Sequence, residues 1–318
     1  MFFDAVSITA SAVIQILILG IIGYFLKKRN ILTTLGLDML SRLVIDITLP
    51  LLIFAQLVRD FDFRLYPNWW IFPLISLAIT VLGLATGFIF TGFIHGQQKK
   101  MQFLNLVAFQ NSGYLPLAMV ATLLPAQQVG AMFIYLFLFL IGFNLVMWPL
   151  AAYTLAFSKD TKFQARNLLN PPVIAAIFGL VFVYFDIQAL VPDLVLKPMR
   201  MIGDCTLPLA MFVVGADLAQ IKVEHFDKKA MAWLTIAKLL VLPLLGLIFV
   251  LKLNLPPLVG LLILLELAVP PATSLSVIIR HYKKEDLLIS QGIFFGHVVS
   301  LITIPVFLSL YLSRVMIK

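Results

Sequence analysis

Charge is scarce in this sequence. Charged residues make up 12% of the 318 positions against 62% apolar, where a soluble domain is near a quarter charged. Such a chain cannot cover its surface with polar groups, so a water-facing domain is excluded and lipid is its solvent. Cysteine is scarcer still. Cys205 stands alone, which excludes an intrachain disulfide framework and an all-cysteine metal site. The four histidines, His95, His225, His281 and His297, are scattered, and neither HExxH nor GxSxG occurs. The clustered nucleophile, dyad or metal set of a membrane enzyme is therefore missing, and no cofactor is expected. No stretch alternates apolar and polar residues, which excludes a transmembrane β-barrel. The opening residues, MFFDAVSITASAVIQ, lack a basic leader and a clear small-residue cleavage site. They read as a retained first span and not as a signal peptide.

What the chain has instead is a succession of apolar stretches long enough to cross a bilayer. They fall near 5–26, 35–58, 68–93, 102–124, 128–157, 168–187, 199–219, 229–252, 256–280 and 286–314. The reading is an all-α membrane protein of ten helices. Basic residues collect in the loops after odd-numbered spans: Lys27, Lys28 and Arg29, then Lys99 and Lys100, then Lys159, Lys162 and Arg166. Lys222, Lys228 and Lys229 follow, then Arg280, Lys283 and Lys284, fourteen in all. The opposite side holds seven: Arg59, Arg64, Lys197, Arg200, Lys252, Arg314 and Lys318. The positive-inside rule puts the odd loops in the cytoplasm and both termini outside the cell membrane. The net charge of +8 is thus a topology signal, and no nucleic-acid partner is needed to explain it.

One line is written twice. DITLPLLIF runs from Asp46 to Phe54 and DCTLPLAMF from Asp204 to Phe212, with Asp, Thr, Leu, Pro, Leu and Phe shared. Five spans per half is an odd number, so the second half enters the membrane upside down. The expectation is two inverted five-helix repeats, 1–157 and 165–318, joined by a short cytoplasmic linker at 158–164. Such repeats are a hallmark of secondary transporters.

Two spans carry breaks at their centres. Span four has Asn111, Ser112, Gly113, Tyr114 and Pro116; span nine has Pro270 and Pro271, then Thr273, Ser274 and Ser276. Proline removes a donor and displaces the carbonyl four residues earlier, which lipid tolerates only beside protein or a polar cavity. Pro116 and Pro270 are read as matched positions. Two such breaks meeting at the midplane bring half-helix N-termini together, and their partial positive charge suits an anion. Asn111, Ser112, Tyr114 and Pro116 are expected to face Pro270, Pro271, Thr273 and Ser274 around a small carboxylate.

Three acids stand four residues before a proline: Asp46, Asp204 and Glu266. Each joins a carboxylate to a liberated carbonyl, a plausible proton or cation site. Glu266 lies deepest, with Lys238 as its candidate partner. Asp46 is expected to pair with Arg42 at i,i+4, and His297 reads as a structural, hydrogen-bonded histidine.

The stretches NSGYLPLAM, NPPVIAAIFG, DCTLPLAMFVVGADL and AVPPATSLSVIIRHYKKEDLLISQGIFFGHVVSLITIPVF resemble the auxin efflux carrier family. That family holds the plant PIN proteins and bacterial permeases for malonate, malate and similar anions. The likeness spans nearly the whole chain and is most specific from Ala268 to Phe307. It implies helices one, two, six and seven as a scaffold, the others as a transport domain with helices four and nine crossing, and a homodimer. The family's crossover asparagine falls on Asn111 and its prolines on Pro116 and Pro270. The chain departs from the family in having Leu115–Pro116 where many members carry a glycine-proline step, and in lacking a long central loop, so auxin itself is not implied. The expected activity is secondary, elevator-type transport of a small organic anion linked to protons. Sodium-coupled symport of the bile-acid type is the alternative, as is a receptor or scaffold that keeps the fold without flux.

Overall fold

The computed structural model describes residues 2–156, 169–221, 226–281 and 287–315. The expected linker 158–164 lies outside them, as do His225 and the basic positions Lys159, Lys162, Arg166, Lys222, Lys283, Lys284 and Lys318. Among the described residues the regular structure is helical, apart from one isolated backbone bridge.

In chain order the helices are α1 (Phe2–Lys28), α2 (Thr34–Asp60), α3 (Ile71–Phe93), α4 (Gln97–Ala108), α5 (Tyr114–Leu123) and α6 (Ala126–Ala156). They continue with α7 (Pro171–Tyr184), α8 (Asp193–Gln220), α9 (Lys228–Lys252), α10 (Pro257–Ala268), α11 (Ser274–His281) and α12 (Leu287–Val315). Among the described residues seven are long and apolar enough to cross a membrane: α1, α2, α3, α6, α8, α9 and α12. Helices α5, α7 and α10 are shorter and equally apolar. Large side chains such as Phe25, Phe88, Phe178 and Ile302 stay on the outer surface. A helix apolar all round is stable there only when lipid covers it.

Helix starts follow local chemistry. The Thr33 hydroxyl accepts from the Gly36 N–H at 3.0 Å. The Asn170 side chain accepts from Val173 at 3.0 Å, ahead of Pro171 and Pro172. Asp227 caps α9 by accepting from Ala230 at 3.1 Å. Each satisfies a donor that the first helical turn leaves free.

Helices α1, α2, α7 and α8 pack as one group. A side chain at Gly23 or Gly215 would fall on the facing backbone, at Phe212 and Gly20 respectively, so glycine is what lets α1 and α8 approach so closely. The two copies of the repeated line meet inside this group. The Thr206 hydroxyl donates to that of Thr48 at 3.0 Å, both residues buried. Elsewhere α3 packs on α4 and α6, while α9, α10 and α12 pack on one another. Between α1 and α12, the Thr9 and Ser309 hydroxyls bond at 2.7 Å.

Two helices loosen just before a proline. In α2 the Leu49 N–H reaches back five residues to Val44, ahead of Pro50; in α9 Leu242 reaches back five to Ala237, ahead of Pro243. The ring cannot donate and crowds the carbonyl four residues back, so a wider π turn takes up the strain. Asp46 lies in the first of these turns and Lys238 in the second. Arg42 and Asp46 are both exposed, and no ion pair joins them, against the i,i+4 expectation; Asp46 lies inside the wide turn. Asp204 is exposed, with Arg200 at 4.0 Å.

Candidate functional site

The breaks occupy the five residues 109–113 between α4 and α5 and the five residues 269–273 between α10 and α11. They lie side by side. Gln110 and Pro271 form an antiparallel bridge, the Asn111 N–H donates to the Pro270 carbonyl at 2.9 Å, and the Ala272 N–H donates to the Phe109 carbonyl at 3.0 Å. Two unwound segments thus satisfy each other's polar groups where lipid could not. The prolines suit this arrangement, since Pro270 and Pro271 bring no N–H that would need a partner.

The register differs from the sequence expectation in one respect. Pro116 is not in the break; it is the third residue of α5, where an N–H would have no helical partner anyway. Pro270 is in the break itself. The unwinding of the first segment falls on Phe109 to Gly113, and Pro116 terminates nothing.

Asn111, Ser112, Pro270, Pro271 and Thr273 are buried, and Ser274 is half-buried at the start of α11. The N-termini of α5 and α11 both open from the crossing. Tyr114 packs toward α2 and α8, against Leu37, Val213 and Ala216, within electrostatic range of Asp46 and Asp217.

Glu266 is fully buried on α10, and Lys238 is 1% exposed on α9 within electrostatic range of it. Ser112 and Gln110, both from the first break, flank the Glu266 carboxyl. None of these contacts reaches hydrogen-bond geometry. Both Glu266 oxygens, the Ser112 hydroxyl and both polar atoms of Gln110 lack partners among the described residues. Gln110 carried no sequence signal beyond its place one residue before Asn111.

Sequence reasoning also missed the reach of His297. Its Nδ1 lies 2.8 Å from the Ile293 carbonyl oxygen and its Nε2 3.2 Å from Asn111 Nδ2. The histidine is indeed buried and hydrogen-bonded, but its partner is the central residue of the first break. Gly296 makes this possible. A Cβ there would come within 2.6 Å of the Pro271 ring, so α12 can lie against the second break only because residue 296 has no side chain. The Gly-His step was the readable sign. Beside the ring, a cavity of about 210 Å³ opens between α1, α5, α8 and α12, lined by Gly20, Leu115, Met119, Met211 and Leu301 among others.

A family model described as "Membrane transport protein" matches residues 8–166 and 154–308. The chain belongs to the membrane transport protein family. This is the family of the auxin efflux carriers, as the sequence resemblance indicated. A curated relative is the "Uncharacterized transporter YLR152C" of Saccharomyces cerevisiae, 26% identical over 185 residues. That match covers 54% of this chain and 31% of the relative, so the chain spans about a third of the curated protein's length. Family membership and the apolar helices make this an integral membrane protein.

Proposed function

We propose that this membrane transport protein is a secondary transporter for a small organic anion, which it binds where the two broken segments cross. The observation that carries the reading is the pairing of Asn111 with Pro270 and of Ala272 with Phe109. It leaves two half-helix N-termini and the side chains of Asn111, Ser112, Thr273 and Ser274 around one buried locus. Positive helix ends with neutral donors favour a carboxylate without burying a fixed cation. The reading has ten membrane crossings in two inverted repeats. In support, equivalent threonines of the repeated line touch, and the two backbone bonds of the crossing are reciprocal, as a local two-fold axis requires. Helices α1, α2, α7 and α8 form the scaffold, against which the remaining helices move as an elevator in a homodimer.

Glu266 is the proposed coupling group, with Lys238 as its counter-charge and a proton as the coupling ion. A carboxyl group is costly at such depth unless it is neutralised, and taking a proton lets the moving domain cross with less charge. Two measurements on purified protein test this. A thermal-shift screen of mono- and dicarboxylates should find a stabilising ligand. In liposomes, Glu266→Gln should retain counterflow exchange of that ligand and lose uptake driven by a proton gradient. Gradient-driven uptake at the wild-type level would remove Glu266 from the mechanism, and dependence of wild-type uptake on sodium would favour the bile-acid type of symport.

A further inference from the structure

The bonds around His297 specify more than a structural role. The Ile293 carbonyl can only accept, so Nδ1 carries a hydrogen whatever the state of the ring. In the singly protonated ring Nε2 is then a lone pair, and it takes one N–H of the Asn111 amide. That amide keeps one N–H and its oxygen for the crossing, and neither has another partner among the described residues. An amide oxygen facing a carboxylate is repulsive. Asn111 as drawn is therefore half suited to an anion.

We propose that His297 sets which end of the Asn111 amide faces the crossing, and that an anion binds there together with a second proton on this ring. With Nε2 protonated, the same contact needs an acceptor. The amide makes a half-turn, its oxygen goes to the ring, and both its N–H groups become free for a carboxylate. The backbone need not move, since the Asn111 N–H stays on Pro270. The step makes and breaks no covalent bond other than that to the proton: one proton and one carboxylate enter, and a neutral imidazolium–carboxylate pair is held.

The surroundings explain why the two must arrive together. Charged groups stand at the ends of the helices packed on α12: Asp4, Lys27 and Lys28 on α1, Lys99 and Lys100 on α4, Lys228, Lys229 and Lys252 on α9, Arg280 and His281 on α11. Further inside are Tyr24 on α1, Lys238 on α9 and Glu266 on α10, with Tyr114 at the start of α5 and Asp217 on α8 near it. Tyr24 lines the cavity at the ring, Tyr114 turns toward α2 and α8, and Lys238 and Glu266 act on each other. The two ring nitrogens of His297 meet the Ile293 carbonyl and the Asn111 amide, and among the described residues no carboxylate lies within ion-pair distance of them. A buried imidazolium without a counter-ion is costly, so the opposite charge has to come with the ligand. His297 is in this account a positioning residue for binding, separate from Glu266, which serves translocation.

The inference rests on the carboxylate reading of the crossing, and its test keeps the two apart. Calorimetric titration of the purified protein with malonate, in buffers of different ionisation enthalpy, counts the protons taken up. One proton per malonate is expected, with affinity falling about tenfold per pH unit in the alkaline limb. His297→Gln should bind with no proton uptake and a flat pH profile, while Glu266→Gln keeps the uptake. Malonate binding without proton uptake in the wild type, or uptake that survives in His297→Gln, overturns the inference and leaves the anion site standing. If malonate, malate and benzoate all fail to bind the wild type, the anion site falls and this inference with it. Should His297→Gln not fold, nitrogen NMR of labelled histidine decides instead, in protein with His95, His225 and His281 each replaced by glutamine. The remaining ring should carry a proton on Nδ1 alone without ligand and on both nitrogens with malonate; an unchanged ring overturns the proposal.

Discussion

The two breaks have matching backbones and opposite chemistry. The first, Phe109 to Gly113, contributes side chains: Gln110 and Ser112 beside Glu266, and Asn111 on His297. The second, Val269 to Thr273, contributes mostly backbone, the Pro270 carbonyl and the Ala272 N–H, with Thr273 as its one polar side chain, because Pro270 and Pro271 have no N–H to satisfy. One segment supplies side chains, the other mostly backbone. The difference teaches that a crossing can be symmetric in its fold and directional in its chemistry, with the titratable groups supplied by neighbours on α9, α10 and α12.

That contrast can be broken at the charged pair first. Lys238→Met removes the cation within electrostatic range of Glu266 and should destabilise the protein by at most about 3 kcal/mol, the low end for breaking a buried ion pair, since the two groups are not in direct contact. The double change with Glu266→Gln should recover most of the loss, which thermal unfolding of the three variants in detergent would measure. Equal unfolding temperatures for the single and double variants would mean that the two residues do not interact.

Next comes the approach of α12. Gly296→Val drives a side chain into the Pro271 ring, where a Cβ already meets it at 2.6 Å. Overpacking of this kind costs about 1–3 kcal/mol. Because His297 moves with the helix, malonate affinity should fall with stability, whereas Gly20→Ala, with open space at its Cβ, should change neither. Calorimetry on both variants checks the pair.

A smaller effect sharpens the second break. Pro271→Ala adds an N–H beside the bridge, and a buried donor without an acceptor costs about 1 kcal/mol or somewhat more. Ser112→Ala in the first break removes a hydroxyl that has no partner among the described residues. It should leave stability within about 0.5 kcal/mol while weakening carboxylate binding. Chemical denaturation of both would show whether the two breaks tolerate change as differently as their chemistry implies.

The smallest effect lies outside the membrane. Partial burial works against the charged form of Asp227, but the Ala230 N–H and then Lys99, at 3.1 Å, hold the carboxyl below the usual carboxylate range. A depressed folded value stabilises above the unfolded value of about 3.9 and is lost as pH falls through the folded one. Asp227→Asn keeps the cap and loses the charge. Its unfolding temperature relative to the wild type should therefore be lower at pH 7 and converge with it below about pH 3.9. A constant gap across that range would contradict the ion pair's role.

Much of this was legible in the sequence. Polar residues and prolines at the centres of two apolar spans located the breaks, and one acid at depth located Glu266. What escaped the reading was register and reach. Pro116 marks a helix start, because a proline in a first turn costs nothing, while the unwinding falls on the residues before it. Asp46 does not pair with Arg42, and it lies in a π turn ahead of Pro50, a departure that spacing rules assume away. His297 lies 186 positions from Asn111, and only the tertiary fold could join them, although the glycine beside it hinted at close approach.

The central claim is that the crossing of the two breaks is where the anion binds, and Asn111 tests it most directly. Malonate binding should be measured by calorimetry on wild-type protein and on Asn111→Ala, with circular dichroism and thermal unfolding run on the same samples. Losing a hydrogen bond to a charged ligand costs about 1.5–3 kcal/mol, or roughly 10- to 100-fold in affinity. The account predicts a loss of that size or complete loss of binding, with helicity unchanged and the unfolding temperature lowered only by the lost contact to His297, about 1–3 kcal/mol. Wild-type affinity in a well-folded Asn111→Ala would contradict it.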